Sequence, residues 1–513
     1  MSKLLNRKYL FIVIFVLFFL ITRIFHILEL PVFADEAIYI RWAQLIIDDA
    51  RQYLFFPLND GKTPLFVWLM VPLQWVGRDP LLMGRAVSVF SGLAQVFVIW
   101  RLSEALRLGR KAQVISVIFS TILPFWFFYQ RMALMDSLMT LLLSVSWLFL
   151  VEYCYDSNSK QRPDKKIILS GIFLGLALWT KLSAILFVPV LLLTPWGLKY
   201  QLDKDAIKHS ILTLMSVILG LLIFLLLRLH PAFSQLFSRG GDFLFSLSAV
   251  IGGQWRFILS QWPRYLIELS TYLVLYVLLA PILGLIISKQ RKTHLLFLML
   301  SLVYLLPVLI LGRVVYARYF LPTAIFFTLS ASSLIAFMLD KANENKIFWK
   351  KFLWGLSAAV ILSNIVASSA LWMFQSYFSV NELSLPLKDR FQYLEEWSAG
   401  QGIKETANRL LEVSQNQRVV LATEGYFGTL PDGILMYLHR RNVENIFVMG
   451  IGQPVHELPP DFIQAASSAD QAWLLVNSHR NFLTLNPDQL IAEYCRPNGA
   501  PCLELWNVSE IIP

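Results

Sequence analysis

Two adjacent carboxylates, Asp35 and Glu36, stand where the first long apolar run gives way to an amphipathic segment. A carboxylate at the mouth of a lipid-accessible cavity can take the proton of an acceptor hydroxyl, the work of a general base. A further carboxylate, Asp136, falls a few residues inside the apolar run 132–154. A charge there is costly unless it faces a cavity or a partner, so it is a functional candidate by default. Two cations open apolar segments: Lys62, in Asp60-Gly61-Lys62-Thr63-Pro64-Leu65, and Arg318, in Tyr316-Ala317-Arg318-Tyr319-Phe320-Leu321-Pro322. An arginine grips phosphate by two parallel hydrogen bonds, and a lysine supplies a point charge. Lys181, Arg131 and Arg313 share the placement of Arg318. Cations beside carboxylates at one face suit a reaction with a hydroxyl acceptor and an anionic leaving group.

Each candidate also has a plainer reading. Asp35 at an N-cap with Glu36 in the first turn favours a helix start. Asp136 could pair with Arg131, five residues away and only marginally placed on a helix. Lys62 could be an interfacial anchor. The seven histidines show no pair at helical metal spacing, so no His/Cys metal site is expected. Carboxylates could still hold a divalent cation, although nothing demands one, and no cofactor is required.

The elements that position these residues follow from composition. The 513 residues are 57% hydrophobic and only 15% charged, against about 25% charged in soluble domains. Apolar runs fall near 9–30, 81–106, 112–129, 132–154, 167–180, 182–198, 209–228, 263–287, 294–312, 319–339 and 351–374. The expected architecture is an α-helical polytopic membrane protein of about eleven spans. Lys and Arg crowd every second loop, for example Arg107, Arg110 and Lys111, then Lys160, Arg162, Lys165 and Lys166. This alternation predicts a cytoplasmic N-terminus and an extracytoplasmic C-terminal region. The run 167–198 is interrupted by Thr180-Lys181 and is read as two short helices with Lys181 at the outer turn. The first outer loop, from Pro31 to about Pro80, is expected to carry two interfacial helices. One holds Ile38, Trp42, Leu45 and Ile46 on a stripe, and the other is Pro64–Val76. The loop 229–262, with Gly240-Gly241 and Gly252-Gly253, suits a mobile flap or a plain linker.

Charge divides the chain. Residues 377–513 hold 9 Lys and Arg against 16 Asp and Glu, whereas the whole chain is +10. The basic balance therefore belongs to the membrane part, and nucleic acid is not an expected partner. The expected division is a membrane module, 1–375, and a small extracytoplasmic α/β domain, 376–513. That domain should have strands at 418–423, 445–451, 472–477 and 502–508 and a helix at 403–413. Its Glu424-Gly425-Tyr426-Phe427-Gly428 is not a phosphate-cradling fingerprint. Cys495 and Cys502 bracket a turn-rich hexapeptide, where a disulfide is permitted but not required.

Three elements together resemble the GT-C superfamily of polytopic glycosyltransferases, in its protein O-mannosyltransferase and aminoarabinose-transferase-like branch. They are Asp35-Glu36 after the first span, Lys62-Thr63-Pro64-Leu65 opening an interfacial helix, and Arg318-Tyr319-Phe320-Leu321-Pro322 opening a late span. The spacing of Arg131 and Asp136 is similar to the family's second acidic site. Two positions depart from the pattern, Thr63 in the Lys-Pro-Pro element and Ile38 where a basic residue is common. No Trp-Trp-Asp motif of the oligosaccharyltransferase branch occurs.

The resemblance implies inverting transfer of a monosaccharide from a polyprenyl-phosphate-linked donor to an acceptor hydroxyl on a protein, lipid or glycan. It implies Asp35 as general base and Asp136 as a second acidic group. Lys62, Arg318 and Lys181 would stabilise the departing lipid phosphate. Glu36 would have a substrate-binding or structural role. The competing readings are a transporter or flippase of a lipid-linked or anionic substrate, and a non-catalytic assembly or sensor protein.

Overall fold

A computed structural model describes residues 2–155, 165–199, 204–344, 346–441 and 443–511. The loop cations Lys160 and Arg162 lie outside the described residues. By their contacts the residues form two compact units. The first is 1–25, 55–66 and 87–375; the second is 26–54, 67–86 and 376–513.

The first unit is helical. Among the described residues, six helices are long and apolar enough to cross a membrane: Pro80–Ala105, Met135–Tyr155, Ile207–Leu229, Arg291–Leu311, Ala317–Glu344 and Phe348–Phe378. The first of them begins within the second unit. A seventh counts if the pair Val250–Leu273 and Leu275–Ile287, bent by 100°, is one span. The chain is a multi-pass membrane protein.

Among the described residues fewer than eleven helices meet the requirement of length and composition, and several apolar runs are broken into shorter pieces. The run 112–129 breaks at Leu123, whose backbone is extended before Pro124 opens the helix Pro124–Tyr129; a residue before proline disfavours helical backbone. The run 263–287 bends at Val274, which has a positive φ of 63°. The run 167–198 is two pieces, as the Thr180-Lys181 interruption suggests. The helix Lys165–Thr180 ends, Lys181 is extended, and the 3-10 segment Leu182–Phe187 leads into the helix Val188–Lys199.

Buried arginines fasten the end of the first helix, Ser2–Ile24. Arg23 donates to Gln130 Oε1 at 3.0 and 2.9 Å and to the Thr121 carbonyl at 2.7 Å. Arg131 Nη1 donates to the Phe25 carbonyl at 2.8 Å and to those of Thr22 and Arg23 at 3.2 Å. A cation at these terminal carbonyls meets the negative end of the helix dipole.

The second unit is α/β. Strand β1, Val32–Phe33, runs directly into the helix Ala34–Asp48 and pairs antiparallel with β2, Ala399–Gly400. Five further strands are β3, Val419–Thr423; β4, Ile446–Gly450; β5, Gln471–Asn477; β6, Leu490–Tyr494; and β7, Leu503–Asn507. They form one sheet in the order β4-β3-β5-β7-β6, with β4, β3 and β5 parallel and β7 antiparallel to β5 and β6. Val420, Ala422, Phe462, Leu474 and Val476 are the centre of its core. Cys495 and Cys502 form a disulfide between β6 and β7. The two helices expected between Pro31 and Pro80 are Ala34–Asp48 and Leu65–Val76. The former packs on the helix Asp432–Leu438, where Gln44 Nε2 donates to the Met436 carbonyl at 2.9 Å. That packing explains why residues from the first loop share a unit with the C-terminal sheet.

Candidate active site

In the first unit, Asp136 sits in the first turn of Met135–Tyr155 and is only 2% exposed. An acid so placed is favoured by the helix N-terminus. Lys181 reaches it because the backbone leaves the helix at Thr180, which throws the lysine side chain out of the helical spiral. Its Nζ lies 2.7 Å from Asp136 Oδ1. The same ammonium stands 4.5 Å over the ring of Tyr319.

Tyr319 belongs to the 3-10 segment Ala317–Thr323, which opens the long helix ending at Glu344. Its neighbour Arg318 is 6% exposed, with its guanidinium 4.8 Å from the Tyr316 ring and 5.8 Å from the Tyr319 ring. Tyr304 donates to the Tyr319 carbonyl at 3.3 Å, holding the segment in place. Arg318 and Lys62 both lie within electrostatic range of the Lys181 charge.

Lys62 follows a turn that needs Gly61 at a φ of 71°. The turn is tied to the loop 229–262: Asp60 pairs with Arg239 at 2.6 Å, and Lys62 Nζ is 5.9 Å from the Phe243 ring. That loop is itself fastened, with Phe245 N–H donating to the Leu311 carbonyl at 2.8 Å and Arg313 N–H to Phe243 at 2.8 Å. The arrangement thus brings three cations, Lys62, Lys181 and Arg318, near the carboxylate Asp136. In a low-dielectric setting this surplus of positive charge selects for an anion. Arg313 is different: it is exposed and donates to the Gly241 carbonyl at 3.4 Å.

In the second unit, Asp35 and Glu36 occupy the first turn of Ala34–Asp48. The N-cap is Phe33, so Asp35 is inside the helix rather than at its cap. Asp35 is half-buried, whereas Glu36 is wholly enclosed. Glu36 accepts from Arg85 Nε at 2.8 Å and Nη2 at 2.7 Å, and from the Phe33 N–H at 3.0 Å. Arg85 also donates to the carbonyls of Ile27, Leu30 and Pro31. Both Glu36 oxygens are thus engaged inside the protein, where they hold the first turn. Sequence reasoning missed Arg85, although an arginine inside the run 81–106 is a signal of its own. It also missed Tyr304, for which an aromatic-rich apolar chain gives no distinguishing mark, and noted Tyr319 only as a member of the element that Arg318 opens.

The family described as dolichyl-phosphate-mannose-protein mannosyltransferase matches residues 61–227, a stretch holding Lys62, Asp136 and Lys181. No curated protein matches the chain. Among solved structures, apo ArnT from Cupriavidus metallidurans aligns with a TM-score of 0.54 at 12% identity, covering 99% of both chains. The chain has the GT-C glycosyltransferase fold. ArnT bound to undecaprenyl phosphate aligns at a TM-score of 0.53 and 13% identity, covering 97% of this chain and 98% of that one. The oligosaccharyltransferase of Archaeoglobus fulgidus aligns at 0.58 and 12% identity, covering 91% of this chain and 67% of its own. Within the GT-C fold of this chain, Asp136, Lys181 and Arg318 are carried by helix ends and breaks rather than by helix centres. Such positions leave side chains free of the helical spiral.

Proposed function

We propose that the chain is a membrane glycosyltransferase that moves a monosaccharide from a polyprenyl-phosphate-linked donor to an extracytoplasmic acceptor hydroxyl, with inversion. The observation that carries the reading is the Asp136–Lys181 pair with Lys181 and Arg318 against the same Tyr319 ring. The family match over 61–227 and the GT-C fold support it. Asp35 takes the proton of the acceptor hydroxyl as its oxygen attacks the anomeric carbon. The bond from that carbon to the phosphate oxygen breaks, and the lipid phosphate leaves with the electron pair. Arg318, Lys62 and Lys181 stabilise the charge that develops on it. Asp136 fixes Lys181 and orients the sugar or acceptor. The alternating basic loops support a cytoplasmic N-terminus and an extracytoplasmic C-terminal region.

The test is transfer in proteoliposomes of purified protein, with labelled polyprenyl-phosphate monosaccharides and mixed acceptors. The expected result is release of lipid phosphate by the wild type and a loss on the order of 100-fold or more in Asp35→Asn. Equal activity in both would remove Asp35 from the role of base. Accumulation of an intact labelled solute without transfer would replace the enzyme with a transporter.

A further inference from the structure

The second unit contains a cavity of about 300 Å³ that the proposed chemistry does not use. Its floor is Gln44, Gln74 and Met436, and its mouth carries Trp75 with Arg78, Arg440 and Arg441. We infer that this cavity binds the headgroup of an anionic lipid at the membrane surface.

Three observations carry the inference. The first is charge. Arg78, Arg440 and Arg441 line one opening, and two carboxylates near the lining residues in sequence, Asp48 and Asp79, are already engaged, while Glu444 is exposed. Asp48 pairs with His439 at 2.9 Å. Asp79 pairs with Lys404 at 2.7 Å and accepts the Leu82 N–H at 3.0 Å. Three guanidiniums in such a setting recognise a phosphate.

The second is an unsatisfied floor. Gln44 is 2% exposed, and its Oε1 has no hydrogen-bond partner among the described residues. A buried carbonyl without a donor costs about 1–3 kcal/mol, and a headgroup hydroxyl beside the phosphate would supply that donor.

The third is placement. The cavity lies at the end of the apolar helix Leu65–Val76 and at Pro80, where a crossing helix begins. Trp75 is 61% exposed and Val76 is 74% exposed. An apolar helix with an exposed tryptophan in its last turn marks the headgroup level of a bilayer. Arg440 lies 4.4 Å over the Trp75 ring, so this aromatic side chain and a phosphate-binding cation share the mouth.

The experiment uses the full-length chain in phosphatidylcholine nanodiscs doped with phosphatidylglycerol, with native mass spectrometry after gentle extraction. The wild type is expected to retain phosphatidylglycerol over phosphatidylcholine. Arg440→Ala/Arg441→Ala is expected to lower that retention about tenfold, and Arg78→Ala to lower it less. These side chains are exposed, so the variants fold, and an unchanged elution profile verifies it. Equal retention of the two lipids, or full retention by the double variant, overturns the inference. A parallel arm adds soluble glycerol phosphate. If it binds the wild type without any preference for the anionic lipid, the source is a free phosphate and the lipid assignment fails.

Discussion

The Arg85 guanidinium and the Glu36 carboxylate are joined by two hydrogen bonds at 2.8 and 2.7 Å, with neither side chain reaching solvent. Removing one partner of such a pair leaves an uncompensated buried charge, which costs about 3–5 kcal/mol. Arg85→Met should therefore lower the unfolding midpoint sharply in detergent. Glu36→Gln combined with Arg85→Met should recover part of the loss. Thermal scans of the two variants separate these outcomes, and equal midpoints would mean that the pair does not hold the turn.

Arg318 distinguishes charge from geometry. If its planar fork grips the leaving phosphate, Arg318→Ala should lower kcat by about 10²–10³. Arg318→Lys should restore only part of it, because an ammonium cannot make two parallel bonds. Steady-state transfer assays measure this. An effect confined to KM would instead assign Arg318 to ground-state donor binding.

Gly171 and Gly175 lie on one face of the helix Lys165–Thr180 and allow close approach of residues 216–223. A Cβ on Gly171 would sit 2.6 Å from the Ser216 carbonyl, and one on Gly175 would sit 2.7 Å from Ile223. Small residues at this spacing let membrane helices pack tightly. Gly171→Leu should therefore push the helix outward and shift Lys181, which follows it. The expected readout is a loss of transfer together with a lower midpoint, whereas Gly109→Ala, where a Cβ meets nothing within 4 Å, should keep the packing and change stability only through its backbone.

Asp432, in the second unit, is pushed up to about 6, chiefly by burial, with the Gly428 N–H and Arg41 acting in the opposite direction. Its folded-state value lies above the unfolded one near 3.8. The stability it contributes is therefore complete below about pH 4 and is lost as pH rises through about 6. Asp432→Asn should stabilise the protein at pH 7.5 by on the order of 2 kcal/mol and flatten the profile between pH 4 and 6. Denaturation at several pH values tests this, and an unchanged slope would assign the pH dependence to other groups.

Elements with local signals were legible in the sequence. Ile403–Val413 is a helix with the bounds read from its periodicity, and β3, β4, β5 and β7 fall within a residue or two of their expected positions. β6 escaped because Leu490–Tyr494 is partly exposed and carries Glu493, so it lacks a continuous apolar run. Among the site residues, Lys181 was legible because an ammonium within an apolar stretch demands a break or a partner, and the structure supplies both. The engagement of Glu36 was not, because Arg85 is 49 residues away and no local pattern couples them. The bend at Val274 had no local signal, since Leu275–Ile287 continues the apolar run with a Pro only at 281.

The pairing of Val32 with Gly400 has a consequence for the order of events during synthesis. The first strand leaves the ribosome roughly 370 residues before its partner exists, which is about 20 to 70 s at ordinary elongation rates. Throughout that interval the helix Ala34–Asp48 waits without one part of its cover, the helix Asp432–Leu438 on which it packs in the finished fold. A chain cut at 375 never receives the covering. Deleting the C-terminal region therefore strands an early segment as well as removing a late one. Loss of transfer in such a truncation would report on unfinished assembly before it reported on catalysis.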